Sequence, residues 1–214
     1  MKRHWVTTVV LSSALFGLTA WFASRSATGA PPAPAGSREA NVSVSTAAKG
    51  VDARRAMIAR GEHLVLSSGC NDCHTPLKMG KNGPEPDMTR MLSGHPEAMK
   101  LPPPPAATMP WLVAAAVTNT AWAGPWGVSF TANLTPDLET GLGGWSEAEF
   151  AQAIKSGRHR GRGRPVLPPM PIPAYRNFTD DELAAIFAYL GSVPALKNRV
   201  PEPLPPAPPK VAHG

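Results

Sequence analysis

The sequence predicts an all-α domain of short helices interrupted by a long proline-rich insertion. Three observations carry this: helical periodicity in three short windows, capping residues at their starts with glycine at their ends, and 26 prolines in 214 residues, which deny the remainder any long regular element. The first window, Asp52 to Ser67, places Ala56, Ile58 or Ala59, Leu64 and Leu66 at helical spacing behind Asp52 as a cap, and stops at Gly69. The second opens on Ser146-Glu147-Ala148-Glu149, a capping box, carries Phe150, Ala153 and Ile154 on one face, and ends at Gly157. The third opens on a second capping box, Thr179-Asp180-Asp181-Glu182, and repeats Leu183, Ile186, Phe187 and Leu190 up to Gly191. Between the first two windows runs 75–133, too long for a simple connection in a domain of this size. Its Pro102-Pro103-Pro104-Pro105 run excludes regular structure locally, while Trp111–Val117 and Trp126–Phe130 read as two short strands about a turn.

Flanking segments bound the folded unit. Residues 1–26 join a basic start (Lys2, Arg3) to an apolar run over 6–23, which reads as an export signal or a single membrane anchor. Residues 27–50, rich in Ala, Ser, Gly and Pro, read as a flexible linker, and 201–214 as an extended Pro-rich tail. One domain, 51–200, remains. It holds 15 basic and 13 acidic side chains, so most of the formal +6 lies outside it. A near-neutral domain on an exported chain excludes nucleic acid as a partner.

Three small helices make a thin core, and a short motif indicates what completes it. Cys70-Asn71-Asp72-Cys73-His74 contains the only two cysteines of the chain. Two thiols three residues apart can add across both vinyl groups of a haem, and the imidazole that follows can ligate its iron; this is the attachment signature of haem c. One motif implies one covalent haem, whose apolar face would fill the core. Three alternatives compete. A structural disulfide has no need of His74, a thioredoxin-like pair expects a βαβ setting, and zinc needs more soft ligands than one C-x-x-C supplies.

A low-spin electron-transfer haem needs a second axial ligand. Met170 is the candidate, because Leu167-Pro168-Pro169-Met170-Pro171 holds a thioether on a stiff backbone. Met79, Met88 and Met91 are among the competing methionines, and His63, His95 and His159 are the alternatives for bis-histidine ligation. His74 should donate its other ring N–H to a carbonyl, for which Pro84 of Gly83-Pro84 is a candidate, an ordinary turn being the equal alternative. Lys155, Arg158, Arg160, Arg162 and Arg164 form a basic run with no acid among them. It reads either as a docking surface for an acidic redox partner or as a set of partners for haem propionates.

Cys70 to Thr75, Gly83-Pro84, the Met170 loop and the aromatic-rich final helix together resemble a class I cytochrome c domain. Gly124-Pro125-Trp126-Gly127, Asn133-Leu134-Thr135-Pro136-Asp137, Thr140-Gly141-Leu142-Gly143-Gly144-Trp145-Ser146, Pro169-Met170-Pro171 and Tyr175 resemble, more closely, a single haem domain of the alcohol and aldehyde dehydrogenase cytochrome c subunits. Those subunits carry several such motifs where this chain has one, and 78–109 lies outside their pattern. The resemblance implies a class I fold of short helices around one haem, with the first and last helices crossing near its edge and Gly61 against Tyr189 and Leu190. It also implies redox donor and acceptor proteins as partners.

The expected function is that of an electron carrier and not an enzyme: an exported mono-haem cytochrome, periplasmic and soluble or tethered through residues 6–23, passing electrons from a donor such as a dehydrogenase to the respiratory chain. The alternative is a haem enzyme or gas sensor with an open or labile sixth position. The Pro-Pro-Met-Pro loop argues against it.

Overall fold

A computed structural model describes residues 36–104 and 111–206, with side chains from residue 48 onward. The chain divides into two units, Met1–Val42 and Ser43–Gly214. The first is described only as the start of a helix, and the candidate site lies in the second. The expected signal or anchor over 1–26 lies outside the described residues. Among those described, no helix is long and apolar enough to cross a membrane.

Among the described residues, five α-helices and five strands follow in order: α1 Gly36–Ser67, α2 Cys70–His74, β1 Leu77–Gly80, β2 Gly83–Pro86, β3 Ala114–Ala115, β4 Ala121–Gly124, β5 Gly127–Phe130, α3 Glu147–Ser156, α4 Ile172–Tyr175 and α5 Asp180–Leu190. Regular structure is therefore mixed, not all-α, and every strand lies in the expected insertion. Helix α1 starts at Gly36, not Asp52. The flexible linker expected over 27–50 is thus helical from 36 onward, since 37–49 contains no proline or glycine to interrupt the helix.

Both capping boxes form. Ser146 Oγ accepts from Glu149 N (3.2 Å) while Glu149 Oε2 accepts from Ser146 N (3.0 Å); Thr179 and Glu182 repeat the exchange at 3.2 and 2.9 Å. Each pair satisfies backbone donors that a helix start leaves orphaned. Helix α3 ends at Gly157, whose φ of 68° is the left-handed conformation glycine adopts at least cost.

Apolar faces of these helices meet in one core of Val65, Leu92, Leu142, Phe150, Leu183, Ile186, Tyr189, Leu190 and Val193. Helix α1 crosses α5 at Gly61, where a Cβ would lie 1.9 Å from Ala185 O and 2.8 Å from Tyr189 Cβ. Only glycine permits that approach. The contact with Tyr189 is the one the resemblance implied.

The insertion is built, not loose. Strands β1 and β2 pair antiparallel from Leu77↔Pro86 to Gly80↔Gly83, and β3-β4-β5 form a second antiparallel sheet. The expected strand over 111–117 shrinks to two residues, and β5 instead pairs with β4, from Ala121↔Phe130 to Gly124↔Gly127. The reason lies in Gly124-Pro125-Trp126-Gly127, which closes the hairpin with Gly127 at φ 95°. The Pro-rich tail also differs from expectation. Leu204, between two prolines, exchanges both backbone hydrogen bonds with Val128 at 2.9 Å and seats 201–206 on the edge of β5; 207–214 lies outside the described residues.

Candidate haem site

Helix α2 is a single turn entered through Gly69 at φ 71°. One turn brings positions i and i+3 to the same side, so Cys70 and Cys73 face one region. Both are half-buried and free, not joined as a disulfide. Burial pushes the Cys70 thiol up to about 11 and raises that of Cys73 as well, so both carry their protons at neutral pH. Among the described residues, no group of three or more His, Cys, Asp or Glu side chains converges as a zinc site requires.

His74 is buried, and its Nδ1 lies 2.8 Å from the carbonyl oxygen of Ala132. Burial holds its pKa below the ordinary histidine value, with the Ala132 carbonyl pulling the other way. Burial thus favours the neutral ring. With the Nδ1 proton given to Ala132, Nε2 keeps its lone pair for a metal. The partner is not Pro84. Gly83-Pro84 belongs to β2, where Pro84 is exposed and opposite Met79, and the carbonyl that meets His74 Nδ1 comes from 131–133. Asn133 fixes that segment: it is buried, its Oδ1 accepts from Thr135 N (3.0 Å) and its Nδ2 donates to Leu196 O (2.8 Å).

Met170 is half-buried in a loop pinned from both sides. Upstream, Ser129 Oγ donates to Pro168 O at 2.5 Å; downstream, the Tyr175 hydroxyl donates to Ser68 O, just ahead of Cys70. Burial first, and then the neighbouring Cys70 and Cys73, push the Tyr175 phenol up to about 12, which keeps it a donor. The methionine loop is thereby fastened beside the cysteine turn.

The competing ligands stand in other settings. His63 and Met79 are exposed, as is Met88. His95 is buried with Nδ1 2.9 Å from Thr120 Oγ1, and His159 meets the Trp145 ring edge-on at 4.9 Å. Two free thiols on one turn, a buried imidazole with one nitrogen committed, and a thioether on a pinned loop fit a covalently held haem. A separate apolar cleft of about 290 Å³ opens between Pro136–Trp145 and α5, lined by Leu142, Trp145, Phe187 and Leu190. Cys70, Cys73, His74 and Met170 do not line it.

Over 159 residues the chain is 30% identical to the cytochrome c subunit of a quinone alcohol dehydrogenase of Gluconobacter oxydans, covering 73% of this chain and 26% of the relative. It is 28% identical over 137 residues to the gluconate 2-dehydrogenase cytochrome c subunit of Pantoea cypripedii, covering 64% and 23%. This chain is a relative of dehydrogenase cytochrome c subunits. It spans about a quarter of their length. A nicotinate dehydrogenase subunit of Pseudomonas putida matches at 39% over 77 residues, 36% of this chain and 6% of that one. No family model matches. The expectation of an electron-transfer protein and not an enzyme accords with the cytochrome c subunits among these relatives.

In this cytochrome relative the basic run is not a free cluster of five. Lys155 Nζ donates to Phe178 O (2.5 Å) and pairs with Asp180 (3.4 Å). Arg160 pairs with Glu149 (3.0 Å) and lies 4.9 Å over the Trp145 ring, and Arg164 pairs with Glu202 (3.4 Å). Arg158 donates to Gly163 O (3.1 Å) and, with Arg162, lies exposed without a carboxylate partner among the described residues.

Proposed function

We propose that the chain is a mono-haem c-type cytochrome that passes single electrons from a dehydrogenase to a respiratory acceptor outside the cytoplasm. Cys70 and Cys73 would hold the haem through thioether bonds, with His74 and Met170 as axial ligands and α1, α3 and α5 enclosing it in a class I arrangement. Bound haem supplies a one-electron ferric/ferrous couple. The chain's own residues set the conditions for it. Ala132 O holds the imidazole in one tautomer and orientation, Tyr175 and Ser129 hold the methionine loop, and the apolar core keeps water from the site.

The carrying observation is the buried His74, hydrogen-bonded through Nδ1, directly after two free thiols on one helical turn. A carrier has both axial positions filled, so the ferrous protein should not bind carbon monoxide and should titrate reversibly with one electron per chain. Rapid carbon monoxide binding by the unmutated protein would contradict this and indicate an open sixth position.

Docking of the electron partner rests on the two unneutralised cations. Arg158→Gln with Arg162→Gln should slow association with an acidic partner and flatten its salt dependence, since exposed charges act over roughly 8 Å at physiological ionic strength. The midpoint potential should stay unchanged. Stopped-flow rates across a salt series, alongside potentiometry, measure both; rates indifferent to salt and to the substitutions would remove the docking role.

A further inference from the structure

Leu92–His95 runs through the interior of the insertion, with Leu92, Ser93 and His95 no more than 1% exposed. Leu92 and Gly94 hold φ of 60° and 74°, a backbone course costly for most residues. The segment binds two separate stretches of chain. Leu92 N donates to Thr75 Oγ1 (2.9 Å) and Gly94 N donates to His74 O (2.8 Å), both at the cysteine–histidine motif. His95 N donates to Thr131 O (3.0 Å) and Leu92 O accepts from Leu134 N (2.8 Å), on either side of Ala132. Buried Asn198 braces the far side, its Nδ2 donating to Ser93 O (2.7 Å) and His95 O (2.9 Å). Gly94 therefore lies against both ends of the His74–Ala132 hydrogen bond. A Cβ at that position would stand 2.3 Å from Thr131 O and 2.6 Å from both the carbonyl carbon and the oxygen of Ala132.

We propose that Leu92–His95 is a bracket that registers the axial imidazole against its carbonyl partner, with Gly94 as the positioning residue whose missing side chain lets Ala132 O reach His74 Nδ1. This rests on the haem reading above. The N–H···O=C bond makes the imidazole a stronger donor and so favours ferric iron. Crowding Ala132 O with a methyl group lengthens that bond. The ligand becomes a weaker donor, ferrous iron gains, and the potential rises. The ring N–H, less well held, exchanges faster with solvent.

The test uses the full-length, haem-loaded protein carrying Gly94→Ala, with Gly83→Ala as the strain control. Gly83 also holds a positive φ, 118°, yet an added Cβ there meets nothing within 4 Å. Gly94→Ala should raise the midpoint potential and speed exchange of the His74 ring N–H, followed by proton NMR of the ferrous protein, by about tenfold. Gly83→Ala should match the unmutated protein in both. Asn198→Ala, which loosens the bracket from outside, should move both readouts in the same direction and carries the test should Gly94→Ala fail to fold. An unmutated protein without covalent haem overturns the haem reading and this inference with it. Covalent haem with both readouts unmoved, or moved equally in Gly83→Ala, overturns the bracket alone.

Discussion

Cys70→Ala combined with Cys73→Ala leaves a protein from which acid acetone removes all haem, whereas the unmutated protein keeps its haem through the same extraction. The expectation follows from the two thiols on one turn of α2 and from their being the only sulfhydryls in the chain. With no other cysteine to take over, the loss should be complete. Each single variant should retain haem through one thioether. Denaturing electrophoresis with a peroxidase stain reads the outcome directly, and haem that extracts freely from the unmutated protein would contradict the attachment.

Met170→Ala should abolish the long-wavelength sulfur-to-iron charge-transfer band of the ferric protein and lower the midpoint potential, because thioether ligation favours the reduced metal. Carbon monoxide should then bind the ferrous protein through the vacated position. Met79→Ala and Met88→Ala, at exposed positions, should leave band and potential in place, and so should Met91→Ala. Persistence of the band in the Met170 variant would reject the ligand. Tyr175→Phe offers a graded version: without its bond to Ser68 O the methionine loop is held at one end only, and the band should weaken without disappearing.

Local signals are the ones the sequence states reliably. Both capping boxes, the glycine stop after α3 and the cysteine–histidine turn depend on residues within four positions of one another, and each forms as its chemistry dictates. The close approach of α1 and α5 at Gly61 is long-range, and it is accessible only through resemblance to a family that shares it. What sequence reading misses are partners set by where the chain returns. Pro84 is the nearest glycine–proline carbonyl after the motif, yet His74 finds Ala132, 58 residues on, because the insertion folds into two hairpins before coming back. The basic run shows its charges in sequence, while Glu149, Asp180 and Glu202, which neutralise three of them, lie outside it. Leu204 reads as tail, and its pairing with β5 depends on an edge that exists only once the second hairpin has formed. The helical stretch 36–50 has the composition of a linker, although nothing in 37–49 breaks a helix that the residues after it begin.

The insertion thus changes standing. From composition it is an interruption between the cysteine motif and the rest of the domain. In the structure its bracket at Leu92–His95 joins the motif to the segment that holds its histidine, and Asn198 ties that bracket to the C-terminal segment.

The visible spectrum of the purified, reduced protein in alkaline pyridine tests the central claim most directly, since the position of the α band separates thioether-bonded haem from haem with free vinyl groups. Haem c at one equivalent per chain is the predicted result. A spectrum of haem with free vinyl groups, or no haem after maturation alongside a functioning attachment system, would contradict it.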